Sequence, residues 1–93
     1  MKLEHVLSSR GRVRVLKVLL RVGELNVSEI ARRSGLNYAT ANNHLEALER
    51  AGLLREKRFG RIRIYRVRDD DERLKQFRRL VDVWETLNPA SSE

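Results

Sequence analysis

The stretch from Val27 to Gly52 constrains the fold of this chain more than any other part of it. Its apolar residues recur at spacings of three and four, which is the period of an amphipathic helix and not of a strand. Gly35 interrupts the pattern, and glycine permits the left-handed backbone conformation with which many helices end. Gly52 ends the second run in the same way. The stretch therefore predicts two helices joined by a tight turn, the second running from Tyr38 to Ala51.

Both helices begin at residues that suit a helix N-terminus. Asn26 and Asn37 can each accept a hydrogen bond from a backbone N–H of the first turn, and Glu29 follows Asn26 at the spacing of a capping box. Ala31 and Ala41 are small enough to let the two helices cross closely. This is the pattern of a helix-turn-helix, whose second helix enters a DNA major groove. An ordinary αα-hairpin needs the same small residues and is the alternative for this motif alone.

Two further segments complete a fold that is α+β but mostly α. Ser9 is suited to cap a helix that runs from about Arg10 to Val22. Leu53 to Val67 predict a two-stranded hairpin with its tip at Gly60. In its second strand one face carries Ile62 and Ile64, and the other carries Arg61, Arg63 and Tyr65.

Positive charge is concentrated in this hairpin. The chain carries a net charge of +7, and residues 53–68 alone hold seven Lys or Arg against one acid, Glu56. Residues 1–52 have a net charge of +4, whereas residues 69–93 have a net charge of −3. A surface built only for solubility would mix its signs more evenly. The concentration of charge indicates a polyanionic partner.

The C-terminal segment has a different character. We expect residues 1–68 to form the binding domain, residues 69–88 to form a helix that opens on the acids Asp69 to Glu72, and residues 89–93 to be a frayed tail. A chain of 93 residues has a limited core. We therefore expect the apolar stripe of the last helix to form a homodimer, with packing on the first long helix as the alternative. The stripe consists of Leu74, Phe77, Leu80, Val81, Trp84 and Leu87.

Composition argues against several classes of function. The chain contains no cysteine, which excludes disulfides and thiolate metal sites. It contains two histidines and no paired acids near either, so we expect no enzyme active site. No apolar run approaches the roughly 18 residues of a membrane span. Glu4 and His5 stand where a signal peptide would be apolar, so we expect a cytoplasmic, nucleoid-associated protein.

The chain resembles the winged helix-turn-helix regulators of the ArsR and MarR type. Their first core helix is similar to SSRGRVRVLKVLL, their helix-turn-helix to GELNVSEIARRSGLNYATANNHLEALERAGLL, and their wing to REKRFGRIRIYRV. The resemblance covers residues 8–68 and implies a three-helix core, a two-stranded wing and binding to double-stranded DNA. It implies no metal sensing for this chain, because the metal ligands of ArsR-type sensors are missing. We expect no cofactor, and we assign no effector.

In such proteins the first half of the recognition helix contacts base edges. The corresponding residues here are Tyr38, Ala39, Thr40, Asn42 and Asn43. Two adjacent asparagines are poor helix formers, which favours contact with DNA over a purely solvated role. Because asparagine can bond adenine bidentately, we expect A·T pairs at the positions that Asn42 or Asn43 reads.

The phosphate contacts are expected from basic and polar residues around that helix. Arg58 and Arg61 flank the hairpin tip and are the best candidates for a narrow minor groove. His44 reaches either a phosphate or a half-buried packing position, and the sequence favours neither. The full set is Arg10, Arg12, Arg14, Arg32, Arg33, Asn37, His44, Lys57, Arg58, Arg61 and Arg63. A protected, charged edge strand is the alternative for the hairpin.

Three functions fit these features. The first is a dimeric transcription regulator with the recognition helix in the major groove and the wing, residues 55–66, on phosphates and the minor groove. The second is an architectural chromatin protein with little sequence preference. The third is a winged helix that binds protein within a transcription complex, for which the charge of the hairpin is unnecessary.

Overall fold

The computed structural model describes residues 1–88, which form five helices and a three-stranded antiparallel sheet. The elements in chain order are α1 (Leu3–Leu7), α2 (Arg10–Val22), β1 (Glu24–Asn26), α3 (Val27–Ser34), α4 (Tyr38–Arg50), β2 (Leu54–Phe59), β3 (Ile62–Val67) and α5 (Glu72–Leu87). The expectation of a frayed tail at 89–93 lies outside the described residues. No helix within residues 1–88 combines the length and apolarity that a membrane span needs.

The hydrophobic core lies where α2, α3 and α4 meet the sheet. Its fully buried side chains include Leu16 and Leu19 of α2, Ile30 of α3 and Leu45 of α4. Tyr65 of β3 is the largest of them and closes the core from the side of the sheet. Burial of each such side chain contributes about 1.5–3 kcal/mol. The three helices and the sheet therefore form one unit, which fixes the orientation of α4 relative to the hairpin.

Side-chain caps set the helix boundaries, as the sequence predicts. The Ser9 hydroxyl accepts a hydrogen bond from the Arg12 backbone N–H at 3.1 Å. The Asn26 side chain accepts one from the Glu29 N–H at 2.8 Å, and that of Asn37 accepts one from the Thr40 N–H at 2.8 Å. These three predicted caps are confirmed. The capping box at Asn26 is only half formed, because the Glu29 carboxylate turns to two arginines of its own helix.

Gly35 makes the turn between α3 and α4. Its φ of 69° and ψ of 29° lie in the left-handed region, which costs a residue with a Cβ strain that glycine avoids. The N–H of Leu36 donates to the carbonyl of Ala31 at 2.9 Å, and this bond closes the end of α3. The turn therefore holds α3 and α4 in the crossed arrangement of a helix-turn-helix.

The sheet has one strand more than the two predicted. Its order is β1-β3-β2, and β1 pairs with β3 through Leu25 opposite Tyr65. The prediction missed β1 because a strand of three residues, from Glu24 to the cap Asn26, is too short to show an alternating pattern. This strand ties the base of the hairpin to the start of α3.

The predicted alternation in β3 is present, and the structure shows which face is buried. Arg63, Tyr65 and Val67 lie on the face toward the helices, and Tyr65 is fully buried. Ile62 lies on the other face and keeps 55% of its surface exposed. An arginine and a tyrosine, and not the two isoleucines, therefore face α4.

The last helix divides into two parts. Asp71, and not Asp69, caps it, through bonds to the N–H groups of Arg73 and Leu74. The expectation that Leu74 and Phe77 mediate a dimer needs correction, since Leu74 is 3% exposed and Phe77 packs against the same core of one chain. Farther along, Leu80, Val83, Trp84 and Leu87 are exposed. Glu85 anchors this end to α2 through Lys17 at 2.6 Å.

Candidate nucleic-acid interface

The helix α4 presents one fully exposed face. Ala41 and Leu45 are buried against the core, and the opposite side of the helix carries Ala39, Asn43 and Arg50. These three residues are spaced by four and seven positions, so they lie along one line of the helix surface. The Asn43 side chain makes no hydrogen bond within residues 1–88. A groove-shaped partner would meet this line first.

On the flank of α4 that faces α2, His44 forms a hydrogen bond with Arg12. The Nδ1 atom of His44 accepts a hydrogen bond from Nε of Arg12 at 3.3 Å. Arg12 also donates to the carbonyl of His5 at 3.1 Å. Burial, with a smaller effect of the Arg12 charge, lowers the pKa of His44, so the ring is held neutral. Of the two alternatives for His44, this geometry favours the half-buried packing position over a phosphate contact.

The other flank of α4 faces the hairpin and meets Arg63. The Nη1 atom of Arg63 donates to Oδ1 of Asn42 at 2.7 Å, and its Nε donates to Glu56 Oε2 at 2.5 Å. Its Nη2 donates to the hydroxyl of Tyr65 at 3.0 Å. The hydrogen bond to Glu56 is the main reason that the pKa of Arg63 is raised, and one to Tyr38 adds to it. Arg63 thus joins the wing to the recognition helix.

The side chains at the hairpin tip form no hydrogen bond within residues 1–88. Gly60, with a φ of 62°, is the first residue of the two-residue loop, and glycine is preferred there in type II′ turns. Arg61 is exposed and forms no salt bridge within the part of the chain that the structure describes. Arg58 is 63% exposed at its side chain and lies 3.7 Å from Glu56. The tip therefore offers two solvent-exposed guanidinium groups.

The remaining residues predicted to contact phosphates differ in whether an acidic side chain already pairs with them. Arg10 and Arg14 are exposed on α2. Arg32 and Arg33 both pair with Glu29, and these pairs lower the pKa of Glu29 to about 2. Lys57 lies 3.6 Å from Glu24. Surface pairs of this kind are worth about 0–1 kcal/mol, so a phosphate can compete for their cations.

The sequence reasoning missed one basic residue on the exposed face of α4. Arg50 lies three helical turns beyond Ala39 and on the same line. Its spacing of eleven residues from Ala39 places it on that line, but it lies in the second half of the helix, beyond the residues predicted to contact bases. Arg50 gives the exposed face a cation that the first half lacks.

Among residues 1–88 no group of three or more His, Cys, Asp or Glu side chains has an arrangement that could hold a metal ion. The charged side chains around α4 are instead paired with one another, as at Arg63 and Glu56.

Comparison with known proteins agrees with this geometry. The family model described as "Bacterial regulatory protein, arsR family" matches residues 9–56, which is the segment from the cap of α2 into β2. A curated relative, the cadmium resistance transcriptional regulatory protein CadC homolog of Staphylococcus aureus, is 35% identical over 75 residues. The match covers 81% of this chain and 60% of that relative, so the chain spans less than two thirds of its length.

Solved structures show the same fold. The AntR antimony-specific transcriptional repressor superposes with a TM-score of 0.75 at 27% identity, over 89% of this chain and 74% of that one. The homodimeric winged helix-turn-helix DNA-binding domain Mb0332 of Mycobacterium bovis, a possible ArsR-family regulator, superposes with a TM-score of 0.68 at 29% identity. That match covers 96% of this chain and 80% of the other. The predicted fold class, a winged helix-turn-helix, is confirmed.

Proposed function

Because the chain belongs to the arsR family of bacterial regulatory proteins, we propose that it is a DNA-binding transcription regulator that acts as a homodimer. In this proposal α4 enters the major groove and the hairpin β2–β3 is the wing. The observation that carries the proposal is that the exposed line of α4 lies beside the segment 53–68, whose net charge is +6. A helix of the width of α4 fits a major groove, and a basic hairpin beside it is placed to contact the flanking phosphates.

Affinity and selectivity are assigned to different elements. Arg58 and Arg61 at the wing tip, with Arg10 and Arg14 of α2, supply charge that attracts any duplex. Ala39 and Asn43 present small or hydrogen-bonding groups to base edges, and these groups distinguish one sequence from another. We assign the adenine preference to Asn43, whose amide has both its donor and its acceptor unpaired within residues 1–88.

A second copy of the chain is the partner that we assign to the exposed end of α5. Leu80, Trp84 and Leu87 expose 49%, 63% and 79% of their surface, and Val83 beside them exposes 56%. Such side chains on one helix end favour burial against another chain. The Mycobacterium bovis relative is described as homodimeric. A twofold pair of this kind would place two copies of α4 about 34 Å apart, one turn of DNA.

Metal sensing is not part of the proposal. The Staphylococcus aureus relative is named for cadmium resistance and AntR for antimony, and those names describe those proteins. Soft metals of this kind are typically bound by thiolates, and this sequence contains no cysteine.

Selection from random DNA duplexes, combined with sedimentation of the free protein, tests the proposed function. We expect a pseudo-palindrome with half-sites about 10 base pairs apart, an adenine within each half-site, and the mass of a dimer. The control uses the same selection with the Asn43→Ala variant, which should lose the adenine. A monomer that enriches no sequence would contradict the proposal and favour an architectural DNA-coating protein.

A further inference from the structure

Asn42 and Asn43 are neighbours of the same type with different surroundings. Asn43 is exposed, whereas Asn42 is half-buried and is bonded by Arg63 of the wing. The sequence separation between Asn42 and Arg63 is 21 residues, so the contact exists only because β3 is folded back beside α4. Arg63 therefore affects any base contact that Asn42 makes.

The contact fixes the orientation of the Asn42 amide. An arginine has only N–H donors, so the atom of Asn42 at 2.7 Å from Nη1 must be the carbonyl oxygen. Because the amide group is planar, its NH₂ lies on the other side of the carbon and away from Arg63. This NH₂ donates to no group within residues 1–88. Asn42 therefore presents its NH₂ donor on the side away from Arg63, while its carbonyl oxygen is turned toward Arg63.

Arg63 is itself held in place. Its three guanidinium nitrogens donate to three different partners, Glu56 at 2.5 Å, Asn42 at 2.7 Å and the Tyr65 hydroxyl at 3.0 Å. Tyr65 is fully buried, and the Arg63 side chain is only 17% exposed. A side chain with this many fixed partners is a rigid support and a poor phosphate contact, in contrast to the exposed Arg61 two residues away.

We infer that Arg63 is a positioning residue for sequence readout, which makes Asn42 a donor-only reader that rejects cytosine. In the major groove adenine, guanine and thymine each present at least one acceptor, whereas cytosine presents only its N4 amino donor. An asparagine free to rotate can accept from that amino group. An asparagine whose oxygen is bound to Arg63 meets it donor to donor, which leaves both groups unpaired. The wing thereby contributes to selectivity through the recognition helix as well as to affinity.

This inference rests on the proposed function, and one experiment separates the two. Selection from random duplexes is carried out at one salt concentration with the wild type, Arg63→Lys and Arg61→Lys. Lysine keeps the positive charge but loses the planar fork that engages three partners at once. We expect the wild type to disfavour cytosine about tenfold at one position of each half-site, within the range for one good base contact. In Arg63→Lys this rejection should disappear, and in the control Arg61→Lys it should persist.

Asn42→Ala supplies a second route to the same answer. It removes the reading group and leaves Arg63 its bonds to Glu56 and Tyr65, so it should lose the cytosine rejection whether or not Arg63 is present. Adding Arg63→Lys to Asn42→Ala should then change that position no further. A wild type with no base preference anywhere would contradict the proposed function. A wild type that has a half-site but rejects cytosine nowhere, or keeps the rejection in Arg63→Lys, would overturn the role of Arg63 alone.

Discussion

At the scale of single residues, the environment of a side chain in α4 depends on which element lies beside it. Ala39 and Asn43 face outward, His44 faces α2, and Asn42 faces the wing. The three polar residues are consecutive in sequence, yet each belongs to a different surface. The helix α4 thus contacts a neighbouring helix on one side and the sheet on another, and a third side is exposed to solvent.

The contact between His44 and Arg12 predicts a pH dependence of stability. Burial lowers the pKa of His44 below the usual 6.5. The unfolded chain then binds more protons than the folded chain as the pH falls below about 6.5, so the free energy of unfolding should decrease there. The contribution is fully present above that pH. Thermal unfolding at pH 7.5 and pH 5.5 measures this loss.

His44→Gln is the matched variant for this measurement, because glutamine can accept the Arg12 bond and does not titrate. Its loss of melting temperature between the two pH values should be smaller than that of the wild type. Equal losses in the two proteins would show that His44 does not carry the effect.

These residue-level environments were only partly readable from the sequence. Periodicity identified Asn42 and Asn43 as off the buried face, and both were expected to contact bases. It could not show that Arg63 bonds one of them, because nothing in a helical pattern reports which residue of a distant strand lies beside it. The same limit applies to Arg12 and His44, whose separation is 32 residues.

At the scale of elements, interactions between residues close in sequence determine where the helices begin and end. Caps at Ser9, Asn26 and Asn37 and the turn at Gly35 involve partners within a few residues, and for that reason the sequence predicted their positions. The sheet depends on pairing between distant segments. The short strand β1 gave no pattern of its own. The face of β3 toward the helices carries an arginine and a tyrosine because Glu56 of β2 and Asn42 of α4 supply partners for Arg63, and Arg63 supplies one for the Tyr65 hydroxyl.

The two roles of asparagine in α4 can be separated by the same substitution at two positions. Asn37→Ala removes the cap bond to the Thr40 N–H and should lower the free energy of unfolding by about 1 kcal/mol. Asn43→Ala removes no bond within residues 1–88 and introduces a better helix former, so it should raise that free energy by about 0.5 kcal/mol. Urea denaturation measures both.

The two variants also test whether the Asn43 side chain contributes to DNA binding and not to stability. Asn43→Ala should weaken selection of the adenine while it stabilises the fold. A destabilised Asn43→Ala variant would mean that this side chain has a structural role that its exposed position does not indicate.

At the scale of the whole molecule, charge and apolar surface lie in different parts of the chain. The wing segment carries a net charge of +6, whereas residues 69–93 carry −3. The acidic segment includes the exposed apolar end of α5, whose side chains would be buried against a second copy in the proposed dimer. The two surfaces can be occupied together, one by DNA and the other by the second chain.

Trp84→Glu is expected to separate the chains without unfolding either one. Trp84 is 63% exposed within one chain, so the substitution disturbs little of the core, but it places a charge in the proposed contact. Sedimentation should give half the mass of the wild type at the same concentration. The control Thr86→Glu adds the same charge two residues along α5, about 200° around the helix from Trp84, and should leave the mass unchanged. Equal masses for Trp84→Glu and the wild type would exclude this helix end as the interface.

The division of affinity and selectivity between the wing and α4 is tested most directly by the salt dependence of DNA binding. The dissociation constant of a selected duplex is measured from 50 to 200 mM salt for the wild type and for a double variant, Arg58→Gln with Arg61→Gln. Loss of two phosphate-neutralising groups should weaken binding and reduce the slope of log K against log salt by about 2, while the selected sequence stays the same. An unchanged affinity and slope, or a changed sequence preference, would contradict the account.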